Sequence, residues 1–242
     1  MKKTMRLNKT LWLLLVLLTL GSMPNIVLGA AKDDPIITKV MIDQLEIRDL
    51  DTDKEYVFEA QGWLGKDLDK LWLKTEVERN ERETEEAEAQ LLYSQGVSPF
   101  WDFQFGLRND FLPKPDNLWV VLGFQGLSPY FLEVDTALFV GERGMIGLRL
   151  EVEYELMITQ RFLISPEIEL NLHTKNNEQQ GIGSGLTGIE TGLRFRYEVR
   201  REFAPYFGVN WAGSFGNTAD FSNSEGESTR DTQFLLGIHT WF

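Results

Sequence analysis

The sequence predicts an all-β fold, a transmembrane antiparallel up-and-down β-barrel of about 12 strands, with ten as the alternative count. Three observations lead there. The chain opens with an export leader, its body alternates apolar and charged residues over segments of about ten residues, and its last segment ends on phenylalanine.

The leader comes first. Lys2, Lys3, Arg6 and Lys9 precede an apolar run from Leu11 to Leu20, and the small residues Gly29, Ala30 and Ala31 follow as a cleavage site. A membrane-spanning helix needs about 20 apolar residues, so the run is too short to anchor the chain. Residues 1–31 are therefore expected to be a cleaved signal peptide, 32–39 a short periplasmic segment and 40–242 an outer-membrane barrel.

Cleavage would remove four cations and no acid, moving the formal net charge from −13 to −17. A surface of that sign repels phosphate backbones, so nucleic acid is not an expected partner. With no cysteine, disulfides, thiolate metal ligands and cysteine nucleophiles are excluded together. No linker or break in composition divides the remainder, which reads as one domain.

Strands are expected near residues 40–48, 56–64, 71–79, 85–95, 100–109, 118–127, 130–140, 145–157, 162–173, 187–199, 204–213 and 231–242. In the eighth, Ile146, Leu148, Leu150, Val152, Tyr154 and Leu156 take one face while Arg149, Glu151, Glu153 and Glu155 take the other. The same rule sets Leu71, Leu73 and Val77 against Lys74, Glu76 and Glu78, and Ile189, Leu193, Phe195 and Tyr197 against Glu190, Arg194, Arg196 and Glu198. A soluble sandwich would also alternate. Segment length separates the two, because a tilted membrane strand needs about 9–11 residues where soluble strands average about five or six.

Turns point the same way. Ser98-Pro99-Phe100, Ser128-Pro129-Tyr130, Ser165-Pro166-Glu167 and Ala204-Pro205-Tyr206 read as short periplasmic turns, and the polar stretches 110–117, 175–185 and 214–230 as longer outer loops. In the final segment Phe234, Leu236, Ile238, Thr240 and Phe242 occupy alternate positions, in the manner of the C-terminal signal that such proteins present to the barrel assembly machinery. Outer-membrane lipid and that machinery are the expected partners.

Several blocks also carry a resemblance. IITKVMIDQLEIRD, WLGKDLDKLWLKTE, EEAEAQLLYSQGVSPFWDFQFGLRNDF, LRLEVEYELMITQRFLISPEIE and RREFAPYFGVNW resemble the copper resistance protein B family. The resemblance covers nearly the whole mature chain and implies an outer-membrane barrel acting in copper resistance and homeostasis alongside periplasmic copper-handling proteins. Members often carry a Met- and His-rich segment between leader and barrel. Here that interval reads Lys32-Asp33-Asp34-Pro35, so any copper ion would be handled by the barrel or a partner and not tightly bound.

Face assignment places 14 acids inside the barrel: Glu76, Glu78, Glu86, Glu88, Asp102, Glu133, Asp135, Glu151, Glu153, Glu155, Glu167, Glu169, Glu190 and Glu198. Five bases join them, Lys74, Arg108, Arg149, Arg194 and Arg196. Wet barrel walls carry charge in any case, but an acid excess of this size also makes an interior that attracts cations. For a discrete copper site the candidates are His173, His239 and Met157, with Met41 and Met145 at strand beginnings. A generic cation-preferring channel is the alternative function. A barrel hydrolase is a third class: Asn171 and His173 share a face, yet no local motif supplies a nucleophile within reach, so no enzyme activity is expected.

Overall fold

A computed structural model describes residues 34–49, 54–226 and 228–242; the expected leader, Lys32 and Asp33 lie outside the described residues. The strands are β1 (Ile37–Asp49), β2 (Lys54–Gly65), β3 (Asp69–Asn80), β4 (Thr84–Ser98), β5 (Trp101–Leu112), β6 (Asn117–Ser128) and β7 (Leu132–Gly141). They continue as β8 (Ile146–Tyr154), β9 (Leu156–Met157), β10 (Phe162–His173), β11 (Gly185–Tyr197), β12 (Phe203–Ser214) and β13 (Arg230–Trp241), with an α-helix, α1 (Gly216–Glu225), before the last strand. β8 and β9 both pair with β10 and make a single stave, so the wall has 12.

All neighbours are antiparallel, and β1 pairs with β13 from Met41↔Trp241 to Asp49↔Phe234, which closes the barrel. Closure removes the exposed edges that an open sheet of this length would present. The ten-strand alternative is overturned, since β1 and β2 run to 13 and 12 residues. A 12-residue strand spans about 40 Å, and a tilt near 45° reduces this to the roughly 25 Å height of an outer-membrane apolar band.

Burial is inverted relative to a soluble protein. Leu73, Leu91 and Leu236 are 57%, 52% and 67% exposed on the outer face, whereas Gln104 and Arg194 are each 2% exposed and Asn210 is 0% exposed inside. Among the described residues no helix is long and apolar enough to cross a membrane. The strands are what meets the lipid.

Two turn expectations need correction. Pro166 lies within β10, in register with Leu193, and Pro205 lies within β12, in register with Ile238. Each strand residue points its N–H at one neighbour, so a proline near a strand end removes one ladder bond without breaking the pairing. The expected 110–117 loop also shortens, because β5 runs to Leu112 and β6 begins at Asn117.

One part of the interior is apolar. Trp72, Leu92, Trp119, Val121 and Phe139 pack together inside the wall of β3 to β7, with Met41 and Met145 against them. The Trp119 indole N–H donates to Asp110 Oδ2 at 2.7 Å, which lets a polar ring edge sit in this cluster satisfied.

Candidate cation pathway in the barrel lumen

Antiparallel register turns the period-two charge pattern into rows. Glu59, Glu76, Glu88 and Asp110 stand directly opposite one another across β2, β3, β4 and β5. A second row runs Asp135, Glu151, Glu169 and Glu190 across β7, β8, β10 and β11, and a third runs Glu133, Glu153 and Glu167 below it. Glu78 faces Glu86 across β3 and β4. Like charges placed directly opposite destabilise a sheet by about 0.2–1 kcal/mol per pair, so the wall alone does not favour this arrangement.

Cations tie the rows together. Lys74 of β3 reaches Asp135 of β7 at 2.6 Å, crossing the lumen. Arg149 of β8 lies 3.5 Å from Glu169 on its own wall, and 3.4 and 3.3 Å from Glu76 and Glu88 on the other. Arg108 holds Glu88 and Asp110, each at 2.6 Å, and Arg196 holds Glu153 at 2.6 Å and Glu155 at 3.0 Å. Glu59, Glu78, Glu86, Glu133 and Glu151 have no ion pair with another described residue.

The first strand supplies a network that sequence reasoning missed. Glu46, 2% exposed, accepts from Arg194 at 2.6 Å, from Arg48 at 2.9 Å and from the Tyr206 hydroxyl at 2.9 Å, and Arg194 also bonds Glu167. Arg48 reaches Glu190 at 3.1 Å. The signal was present in Leu45 and Ile47 alternating with Glu46 and Arg48, but a β-bulge between Ile42 and Gln44 breaks the period just before it.

Between these walls lies a cavity of about 600 Å³, reaching from Lys39, Arg201 and Trp241, at the rim where β1 begins and β13 ends, to Arg149 and Phe139. Of the acids expected in the lumen, Glu76, Glu88, Glu133, Asp135, Glu151, Glu153, Glu155, Glu167 and Glu198 line it. Asp43 and Glu59, not foreseen, line it too. Glu78, Glu86 and Glu169 belong to the same inward rows outside the cavity.

His173, His239 and Met157 are not brought together. His173 sits at the C-terminal end of β10, its Nδ1 3.2 Å from the Thr187 hydroxyl and its ring 6.3 Å from that of Trp119. His239 lies near the C-terminal end of β13 and lines the cavity. Through the register of β10 to β13 they are offset by about 12 residues, on the order of 40 Å along the wall. Met157 pairs with Leu163 at the rim where β10 begins and is 69% exposed. Among the described residues no group of three or more His, Asp or Glu is arranged to hold a metal ion.

A closed 12-stave barrel with an apolar exterior and carboxylate rows inside is an outer-membrane protein of porin-like architecture, and its exterior contacts lipid. Solved structures agree: the NanC porin matches with a TM-score of 0.55 at 11% identity, covering 84% of this chain and 99% of that one. The KdgM porin matches with a TM-score of 0.51 at 12% identity, covering 85% and 99%. At such identities the likeness concerns the fold alone.

Sequence relatives are more specific. Copper resistance protein B of Escherichia coli is 43% identical over 213 residues, 88% of this chain and 72% of that protein. A copper resistance protein B homolog of Pseudomonas syringae pv. tomato (strain ATCC BAA-871 / DC3000) is 39% identical over 210 residues, 87% of this chain and 71% of that protein. The profile of copper resistance protein B precursor (CopB) matches residues 36–242. The chain belongs to the copper resistance protein B family, and is a non-enzymatic copper-resistance barrel of the bacterial outer membrane.

Proposed function

We propose that this barrel confers copper resistance by passing copper ions through its lumen along the carboxylate rows, binding them weakly on the way. The observation that carries this reading is the direct opposition of carboxylates across neighbouring strands, Glu59–Glu76–Glu88 on one wall and Asp135–Glu151–Glu169 on the other. Rings of carboxylates lower the energy of a cation in a pore, and Glu59 and Glu151, which have no ion pair with another described residue, leave like-charge opposition in these rows for an entering cation to relieve. A periplasmic copper-handling protein completes the proposal as donor or acceptor at the inner mouth. The leader at 1–31 and the alternating terminal residues Phe234 to Phe242 would bring the chain to the assembly machinery.

Reconstituted vesicles loaded with a copper-sensitive dye test the pathway. Replacing Glu151, Glu153, Glu167 and Glu169 together by Gln is expected to slow Cu(II) entry and to remove its dependence on ionic strength, since screened surface charge weakens with salt. Unchanged entry would exclude the rows as the path. In cells, deleting the gene is expected to alter tolerance to copper more than to zinc or silver; equal shifts for all three would instead favour a generic cation channel.

A further inference from the structure

At the periplasmic end of the cavity, β1 departs from regular pairing. Its register with β2 passes from Ile42↔Ala60 to Gln44↔Glu59, and its register with β13 from Ile42↔Thr240 to Leu45↔Ile238. Asp43 and Gln44 together therefore oppose His239. A bulge of this kind re-aims a side chain and occurs beside functional sites more often than elsewhere.

Its effect here is to place Asp43 against the Nδ1 edge of the imidazole. His239 Nδ1 lies 3.4 Å from the main-chain oxygen of Asp43 and 4.0 Å from its Oδ1. With the Nδ1 proton turned toward Asp43, the lone pair sits on Nε2, and an imidazole oriented through one nitrogen by a carbonyl or carboxylate is the usual arrangement of a metal-binding histidine. Asp43 is held in turn, its Oδ2 accepting from Gln61 Nε2 at 2.8 Å. Gln61 Oε1 is buried with no hydrogen-bond partner, and a buried acceptor left unpaired is destabilising unless something supplies the missing contact. Met41 stands in register with both Gln61 and Trp241, and Met41, Gln61 and His239 all line the cavity.

We infer that His239 anchors a transition-metal site at the inner mouth of the barrel, with the Met41 thioether and the Gln61 amide oxygen as further donors and Asp43 as the residue that orients the imidazole. The inference rests on the proposed copper passage and gives it a terminus. Imidazole suits Cu(II) and thioether suits Cu(I), so a mixed site of this composition accepts the ion in either state and selects against calcium and magnesium, which prefer oxygen alone. Its position at the rim is where an ion leaving the carboxylate rows would be handed on.

The test uses purified, heat-modifiable barrel titrated with Cu(II) at high salt, with electron paramagnetic resonance reporting directly bound nitrogen. One salt-resistant Cu(II) with an imidazole signature is expected for the parent protein. His239→Ala should abolish that signature, while His173→Ala should leave it intact. Asp43→Asn should weaken binding about 10- to 100-fold while keeping the nitrogen signature, as loss of an orienting partner does. Met41→Leu should weaken Cu(I) more than Cu(II). Persistence of the same signature in His239→Ala, or purely salt-sensitive binding in the parent, would overturn the site. Either result leaves the vesicle assay to decide copper passage separately, because that assay depends on the carboxylate rows and not on His239.

Discussion

Leu150 and Glu151 are chain neighbours on opposite sides of one wall, and substituting each in turn tests the inside-out reading most directly. Leu150 lies near the middle of β8, in register with Thr136 of β7 and Leu170 of β10, on the lipid face. Glu151 registers with Asp135 and Glu169 and lines the cavity. An arginine at the bilayer midplane costs about 2–4 kcal/mol. At about 1.4 kcal/mol per factor of ten, Leu150→Arg should lower the folded-to-unfolded ratio roughly 30- to 700-fold. Glu151→Gln removes two like-charge oppositions, each worth about 0.2–1 kcal/mol, so it should be neutral or mildly stabilising. Guanidinium titration of the protein folded into lipid vesicles, followed by the heat-dependent shift in gel mobility, measures both. Equal losses, or a larger loss for Glu151→Gln, would refute the assignment of lipid and lumen faces.

Two further outcomes follow from the geometry. Arg194→Ala leaves Glu46 buried with Arg48 as its remaining cation and frees Glu167, so a loss of about 3–5 kcal/mol is expected in the same titration, and a loss below about 1 kcal/mol would mean the network is not structural. Deleting Phe242, which follows the closing strand and whose main chain exchanges hydrogen bonds with Val40 at 3.1 and 2.8 Å, should reduce the yield of heat-modifiable barrel; normal yield would count against the terminal residues as an assembly signal.

Much of the wall was legible in the sequence because a strand's side chains alternate with a period of two whatever the partner. Ile146 to Leu156 against Arg149 to Glu155 specified a lipid face and a lumen face before any pairing was known, and 162–173 coincides with β10. The same periodicity assigned the inward acids of β3, β4, β7, β8 and β10 residue by residue. What it could not supply was register, which depends on turns and on strands far apart in the chain. Register is what sets Glu59 beside Glu76 and Glu88, sends Lys74 across the lumen to Asp135, and separates His173 from His239 by the length of the barrel. It also placed Asp43, in a bulge that interrupts the alternation, against a histidine 196 residues away. In the regularly alternating strands from β3 onward the sequence by itself determined which residues face inward, since that is a local property of an unbroken strand. Tertiary structure alone decided which of those inward residues meet, because closing the barrel joins the first strand to the last.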